Sequence, residues 1–594
     1  MPSDQTLLFT LLVAIFAMLI WGRVRYDAVA FGALATAVVI GVVPVDNAFD
    51  GFGHPATVII ALVLIVSRAL SNSGVVDLIA RWVSHLSSSL FTHISVMSAV
   101  AAALSAVMNN VAALALLMPV DVNTAKKAGR SPALTLMPLS FASILGGMIT
   151  LIGTPPNIIV AAFREETLGE SYGMFDFTPV GVACAVVGVL YVSLIGWRLI
   201  PRGRRESDSS KELFELKDYI AEVRVAENSK TIGKQVRELD ELCESHGVAV
   251  IGLIRNGRRM PGGARRIEIA EGDVLAIEAD AKTIDAFAGD AGLEYEATEP
   301  RENAEADLPS ELKLVEAVVR PGARIEGRSA RSMHLLDHYG VTLLGVSREG
   351  TRFRQQIRTL KLAAGDVLLL LGPEERVTDI IDWIGALPLA SRELELTQRR
   401  KAGLTVGIFA AAIACASAGL LYLPVALAIA CILFVASGVV RGRQVYDSVE
   451  WPVIVLLGSM IPLGTALEHS GGTDLLADLL VSVAGSYGPI TVLTVFMITT
   501  MTLSDVLNNT ATTIIAAPVG FSIAGALNVS PDPFLMSVAV AASCAFLTPI
   551  GHKNNTLILG PGGYRFGDYW RMGLPLEILI VAVGVPTILW FWPL

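Results

Sequence analysis

The chain has 594 residues, of which 53% are hydrophobic and 17% charged, for a net charge of −10, and its mean hydropathy is +0.59. A soluble protein of this length is not so apolar, so the bilayer is the solvent for most of it. There is no basic stripe of the kind that tracks nucleic acid, and the five cysteines lack paired or metal-ligand spacing, which argues against a nucleic-acid binder, a disulfide scaffold and a zinc site.

In chain order, MPSDQTLLFTLL has no Lys or Arg before its apolar run and no small-residue cleavage site after it, so the first segment is expected to stay as a membrane helix. HPATVIIALVLIVSRALSNSGVVDLI from His54 reads as a span, and NNVAALALLMP (Asn109 to Pro119) and GTPPN (Gly153 to Asn157) read as broken ones. From Arg202 to Arg400 the composition turns to Arg, Glu and Asp, as expected of a soluble module interrupting a membrane protein. Beyond it the earlier motifs return. WPVIVLLGSMIPLGTALEHSGGTDLL from Trp451 aligns Pro452 with Pro55, Ser470-Gly471 with Ser73-Gly74 and Asp474 with Asp77. NNTATTIIAAP (Asn508 to Pro518) and LTPIGHKNN (Leu547 to Asn555) repeat the Asn-Asn and Pro-Asn segments.

The insert repeats as well. HGVAVIGLIRNG at His246 matches YGVTLLGVSREG at Tyr339, and EGDVLAIEA at Glu271 matches AGDVLLLLG at Ala364, both 93 positions apart. Each unit reads as a strand, a helix, alternating apolar strands closed by a Gly-Asp turn, and a final amphipathic helix. The predicted domains are a first membrane half at 1–200, α+β modules at 213–297 and 308–390, and a second membrane half at 401–594. The strand, GD-turn, strand pattern resembles the C-terminal domains of TrkA-type potassium-uptake regulators. No GxGxxG loop precedes either unit, so NAD binding does not come with that resemblance.

Treating each Asn-Asn pair as the apex of a re-entrant hairpin gives five crossings per half, so the second half enters inverted. The loop charges agree. Arg23 and Arg25, Lys126, Lys127 and Arg130, Arg198 to Arg205, Arg441 and Arg443, and Arg565 and Arg571 fall on one side, which the positive-inside rule makes cytoplasmic. Asp46, Asp50, the Glu165 to Asp176 loop and the Lys- and Arg-free stretch from Gly471 to Phe534 fall on the other. The predicted fold is therefore an all-α polytopic protein of the inner cell membrane with inverted repeats and two re-entrant hairpins, plus an inserted cytoplasmic α+β region, both termini facing outward. The alternative is an ordinary helix count with the Asn pairs as intramembrane turns.

Irregular backbone at membrane depth must line a cavity or be buried in protein. Four such places occur, at Ser105 to Asn110, Gly153 to Asn157, Ser504 to Thr510 and Leu547 to Asn555. Half-helices starting after Asn110, Asn157, Asn509 and Asn555 would aim N–H groups at an anion. Arriving helix carbonyls and the side-chain oxygens of Ser105, Asn109, Asn110, Ser504, Asn508, Asn509 and Thr510 would make neutral cages for a hard monovalent cation. A cation-coupled anion carrier follows. The plainer reading is that Asn and Ser only tie neighbouring helices together, but their recurrence at equivalent places in both halves favours the site.

The paired apices and TPPN-type loops resemble the divalent anion:sodium symporter family, within the wider ion transporter superfamily. The resemblance implies that Ser105, Asn109, Asn110 and Gly153 hold one Na⁺ and that Ser504, Asn508, Asn509 and the Leu547 carbonyl hold another. It also implies that Thr154, Pro155, Thr548 and Pro549 border the anion. From the residues themselves, Asn110, Asn509, Thr510 and Lys553 are expected to complete its surroundings, Lys553 standing where many of those relatives have Gln. The family fold, an elevator movement, a homodimer and contact with membrane lipid are implied with the resemblance. The inserted modules and the GHxxN…GPGGYRF run from Gly551 to Phe566 look most like its sulfate-transporter branch. That family has Ser-Asn-Thr at each apex, where this chain has Asn109-Asn110-Val111 and Asn508-Asn509-Thr510. The hydroxyl lost at Val111 weighs against a dicarboxylate and toward sulfate. Lys553 is expected to pair with the anion or with Asp505, to stand in for a cation, or to reach the cytoplasmic edge.

Proton carriers need a titratable group at the site. Ile94 to Val120 and Leu134 to Phe163 contain no acidic residue, His or Lys, and the second half offers only Asp505, His552 and Lys553, which favours sodium. Two other classes remain open: a nutrient sensor that binds the anion without flux, and a channel gated by the insert. No nucleophile elbow, metal-ligand cluster or phosphate loop points to an enzyme or to an organic cofactor. The insert is expected to modulate transport, through a small-molecule regulator that its sequence does not name.

Overall fold

The computed structural model describes residues 4–21, 24–73, 89–201, 399–484 and 488–594 of the membrane part and most of 220–295 and 312–389 of the insert. The repeat positions Gly74 and Asp77, the basic residues 202–205 and residues 213–219 lie outside the described residues. The chain divides into two compact units. One holds Met1–Glu206, Ser391–Ile558 and Arg565–Leu594, and the other Ser207–Ala390 with Leu559–Tyr564.

In the membrane unit the first half supplies α1 (Asp4–Trp21), α2 (Tyr26–Val39), α3 (Pro55–Asn72), α4 (Leu90–Ser105), α5 (Asn110–Lys127), α6 (Ala133–Gly147), α7 (Pro155–Leu168) and α8 (Thr178–Leu194). After the insert, whose one long described helix is α9 (Glu374–Ile384), come α10 (Arg399–Ser417), α11 (Leu423–Ala436), α12 (Trp451–His469) and α13 (Gly472–Ala484). Next are α14 (Pro489–Val506), α15 (Asn509–Leu527), α16 (Asp532–Ser543), α17 (Lys553–Leu559) and α18 (Tyr569–Phe591). Five helical stretches among the described residues are long and apolar enough to cross a membrane: Val45–Asn72, Trp451–His469, Pro489–Val506, Asn509–Leu527 and Phe566–Phe591. With the shorter apolar helices around them they make a polytopic membrane protein.

Local chemistry sets the helix starts. Pro stands in the first turn of α3, α7, α8, α11, α12, α14 and α16, where its missing N–H costs nothing and its fixed φ suits a helix. This explains why α7 begins at Pro155, three residues before the expected start after Asn157, with Thr154 extended ahead of it. α17 likewise begins at Lys553 rather than after Asn555. Pro119 inside α5 and Pro518 inside α15 interrupt both apex helices at corresponding points.

Within this one unit the helices pack in two sets that α13 bridges, lying on both α15 and α12. In one, α2 lies on α12 and α11 on both α3 and α10. In the other, α6 lies on α4 and α8, α18 on α8 and α16, and α16 on α14, α15 and α7. α12 meets α15 and α3 meets α7 where the groups join. All five cysteines are unpaired, four of them buried, as packing residues would be.

Three pairs of titratable side chains tie helices together within this unit, two of them buried and one half-buried. His93 Nε2 of α4 lies 2.9 Å from Asp121 Oδ1 of α5, both side chains 0% exposed, and Thr135 of α6 donates to Asp121 Oδ2 at 2.5 Å. Arg164 of α7 meets Asp532 of α16 at 2.8 Å, and Tyr172 donates to the same carboxylate at 2.8 Å. Asp505 of α14 accepts the Leu547 N–H at 2.9 Å and is hydrogen-bonded to the buried Glu577 of α18. The acid-free stretches of the sequence stop one residue short of His93 and of Asp121.

The insert contains two five-stranded antiparallel sheets. The first uses β1 (Ile220–Val225), β2 (Ala249–Arg255), β3 (Arg258–Arg259), β4 (Val274–Glu278) and β5 (Leu293–Tyr295), in the order β3-β2-β4-β1-β5. The second uses β6 (Leu312–Val319), β7 (Thr342–Arg348), β8 (Thr351–Phe353), β9 (Val367–Pro373) and β10 (Ala386–Pro388), in the order β10-β6-β9-β7-β8. Read from the other edge, that is the same topology. The sheets even share a bulge, between Val250 and Gly252 and between Leu343 and Gly345.

The Gly-Asp turns owe their recurrence to their aspartates. Arg255 clasps Asp273 through two bonds of 2.7 Å, and Arg348 clasps Asp366 at 2.7 and 2.8 Å. The Ala270 and Ala363 N–H groups each add a bond of 2.8 Å. Burial alone would raise the Asp273 carboxyl, but the Arg255 guanidinium and the Ala270 N–H outweigh it and hold that group below the usual carboxylate range. A carboxylate whose folded pKa is depressed contributes stability above its unfolded value and loses it as pH falls through the folded value. Asp273→Asn is therefore expected to cost about 1–3 kcal/mol at neutral pH. In thermal unfolding of the full chain, the gap between wild type and variant is expected to close below about pH 4. A gap that does not narrow on acidification contradicts this assignment.

Candidate functional site

Each half builds its junction in the same way. In the first, Asn109 caps α5 by accepting the Val111 N–H at 2.9 Å. In the second, Asn508 caps α15 by accepting the Thr510 N–H at 2.9 Å. An asparagine in this position satisfies one of the orphan N–H groups of the helix start and leaves the rest aimed forward. The Pro-Asn loops are braced alike. The Asn157 amide donates to the Thr150 carbonyl at 2.8 Å, and the Asn555 amide donates to the Ala545 and Thr548 carbonyls at 2.9 and 3.1 Å. Thr150 in turn donates to the Ala106 carbonyl at the end of α4, and Thr548 donates to the Asp505 carbonyl at 2.6 Å at the end of α14.

The two halves also hold one another. Asn554 donates to the Asn110 carbonyl and to Ser143 Oγ at 3.3 Å each, Ser140 donates to Asn555 Oδ1 at 2.9 Å, and His552 Nε2 lies 3.4 Å from Asn110 Nδ2. His552 Nδ1 accepts the Asn554 N–H at 3.1 Å, which leaves the ring proton on Nε2, so the approach of Nε2 to the Asn110 amide nitrogen is a close contact and not a hydrogen bond.

These contacts converge on one cavity. Of the residues expected at the site, Asn109, Asn110, Pro155, Asn508, Asn509, Thr510 and Lys553 line it. Ser105, Gly153, Thr154, Ser504, Leu547, Thr548 and Pro549 are not among the lining residues and stand behind its wall. Ser105 donates to Asn110 Oδ1 at 2.7 Å and Ser504 to the Ala542 carbonyl at 2.6 Å. Thr154 Oγ1 is buried without a hydrogen-bond partner. Sequence reasoning missed Glu450 and the apolar flank of Ile60, Leu64, Val453 and Ile550. Glu450 precedes α12 in a charge-bearing loop and has no place in either repeated motif, so no local signal marked it.

Lys553 departs from one of its expected partnerships. Its ammonium donates to the Glu450 carboxylate, not to Asp505, whose Oδ1 is taken by the Leu547 N–H. Glu450 also weakens the contrast drawn from sequence between sodium and proton coupling, because an acidic side chain does line the cavity.

The oxygens behind the first apex are packed closely through hydrogen bonds. Asn110 Oδ1 and Ser105 Oγ are 2.7 Å apart, and Ser143 Oγ lies 2.9 Å from the Asn110 carbonyl oxygen. A Cβ added at Gly147 would fall 2.1 Å from Asn110 Oδ1, and one at Gly153 would fall 2.4 Å from the Gly147 carbonyl oxygen. Only glycines permit this approach. Gly147→Ala is accordingly expected to push the Asn110 amide away and to weaken half-saturation by sodium about tenfold or more, with the fold retained. Unchanged sodium dependence of uptake or of thermal stability in that variant contradicts the assignment of Asn110.

The sequence profile of the citrate transporter family matches residues 16–519 and 483–594 of this chain. An uncharacterized transporter of Synechocystis is 30% identical over 587 residues, covering 97% of this chain and 96% of that protein. The transporter YfbS of Escherichia coli is 30% identical over 619 residues, covering 100% of both. Sodium/sulfate cotransporter 1 of Chlamydomonas reinhardtii is 25% identical over 349 residues, 55% of this chain and 39% of that protein.

Proposed function

The chain belongs to the citrate transporter family, and on that footing we propose that it is a sodium-coupled symporter of a divalent anion, sulfate foremost. The observation that carries this reading is the convergence of both Asn-capped apices, with a lysine between them, on one cavity. Helix starts supply N–H groups for an anion, and neutral oxygens behind them supply a cage for Na⁺. Sulfate is favoured by the relatives named sodium/sulfate cotransporters and by the missing hydroxyl at Val111. The second reading is a di- or tricarboxylate, which the name of the family favours.

In this account the membrane halves are inverted repeats with the apices as re-entrant hairpins. The group holding both apices moves past the other as an elevator, and the protein works as a homodimer in the inner membrane. The insert, similar to paired TrkA C-terminal domains, lies in the cytoplasm and modulates the cycle through a small ligand. The division of the helices into two groups supports the elevator, and the recurrence of caps and braces supports the repeat. Competition separates the substrates. Unlabelled sulfate is expected to displace labelled sulfate from sodium-dependent uptake at lower concentration than citrate or succinate does. The reverse order assigns the site to carboxylates.

A further inference from the structure

Among the described residues lining the cavity, Lys553 carries the one fixed positive charge and Glu450 the one fixed negative charge. They are paired with each other, with side chains 23% and 35% exposed, and Tyr26 adds a hydrogen bond to the same ammonium. With the pair closed, the cavity presents no net charge to an entering anion. Lys553 opens α17, beside the His552 that reaches Asn110. Glu450 caps α12 and Tyr26 opens α2, two helices that pack on one another in the other group.

We propose that Glu450 is an internal competitor of the transported anion. Its carboxylate occupies Lys553 while the cavity is empty, and an arriving anion takes the ammonium over and displaces it. The chemistry is an exchange of one oxyanion for another on a single tethered cation, so it requires no change in protonation. A charged amine held by a carboxylate in a partly dry cavity binds a second anion only as that carboxylate lets go. Glu450 thereby sets a threshold: weakly charged anions fail to displace it, and divalent oxyanions succeed. The same exchange unties α17 from α2 and α12, removing one tie at a boundary where α12 still meets α15 and α3 still meets α7.

This inference rests on the anion-carrier reading, and thermal unfolding of the purified full chain tests the two separately. Sodium sulfate, succinate and citrate are titrated at matched sodium and ionic strength, with sodium chloride as the reference. Wild type is expected to be stabilised by at least one of them. Glu450→Gln is expected to lower the half-saturating concentration of that anion about tenfold or more, and Lys553→Met to raise it. Adding Glu450→Gln to Lys553→Met is expected to improve binding by less than it does beside Lys553, because it then relieves only the repulsion from an unpaired carboxylate and releases no cation. If Glu450→Gln does not fold, Glu450→Asp, one methylene shorter, is expected to shift binding in the same direction by less. Wild-type stabilisation with unchanged or weaker binding in Glu450→Gln overturns the competitor alone. No stabilisation of wild type by any of the three overturns the anion-carrier reading and the competitor with it.

Discussion

Replacing Asn110 and Asn509 together with Ala is expected to abolish sodium-driven anion uptake while leaving the protein folded. Asn110 reaches Ser105, Ser143, His552 and Asn554 through its side chain and carbonyl. Asn509 accepts from the Thr510 N–H at 2.8 Å and, through its carbonyl, from Thr513 at 2.7 Å. Alanine keeps both backbone carbonyls and removes the side-chain amides, the oxygens together with the Nδ2 groups. Each single variant is expected to weaken apparent sodium affinity by about ten- to a hundredfold, the worth of one or two lost oxygen contacts. The two losses should combine more than additively if both sites must fill in one cycle. Proteoliposome uptake as a function of sodium concentration reads this directly. A double variant that retains sodium-dependent flux removes both apices from the mechanism.

The second large effect concerns stability. Asp121→Leu is expected to destabilise the membrane unit by about 3–5 kcal/mol, because it leaves His93 and Thr135 buried without the carboxylate that joins them. Exchanging the whole group, as in His93→Phe with Asp121→Leu and Thr135→Val, is expected to recover much of that loss. A packed apolar cluster has no buried polar group left unsatisfied. Thermal unfolding of the purified chain distinguishes the two variants. Equal losses in both would mean that the pair contributes through packing volume rather than through its charges.

Much of the architecture was legible because it is written locally and twice. The 93-residue offset in the insert, read from paired HGVAVIGL and YGVTLLGV strands, returns as two sheets of one topology with the same bulge and the same Arg–Asp clasp. The Asn pairs return as helix caps in both halves, a role fixed by a side chain and the backbone two residues on. Long-range pairing escaped the sequence. Glu450 meets Lys553 across 103 residues, and Ser140 meets Asn555 across 415. His93, in the first turn of α4, and Asp121, inside α5, fall just outside the stretches free of charge, and nothing local marks them as partners. Periodicity and spacing report which face a residue takes, not which distant residue it will meet there. The expected starts of α7 and α17 fall three residues late because the capping residue and the first-turn position decide a helix start, not the asparagine inside it.

The central claim is sodium-coupled anion transport, and its most direct test is accumulation of radiolabelled sulfate, beside succinate and citrate, in proteoliposomes with and without an inward sodium gradient. Concentrative uptake of a divalent anion that requires the sodium gradient and is lost in the Asn110→Ala, Asn509→Ala variant is the expected result. Anion binding without flux under any gradient would contradict it and make the protein a sensor, and accumulation driven by a proton gradient with sodium absent would contradict the coupling.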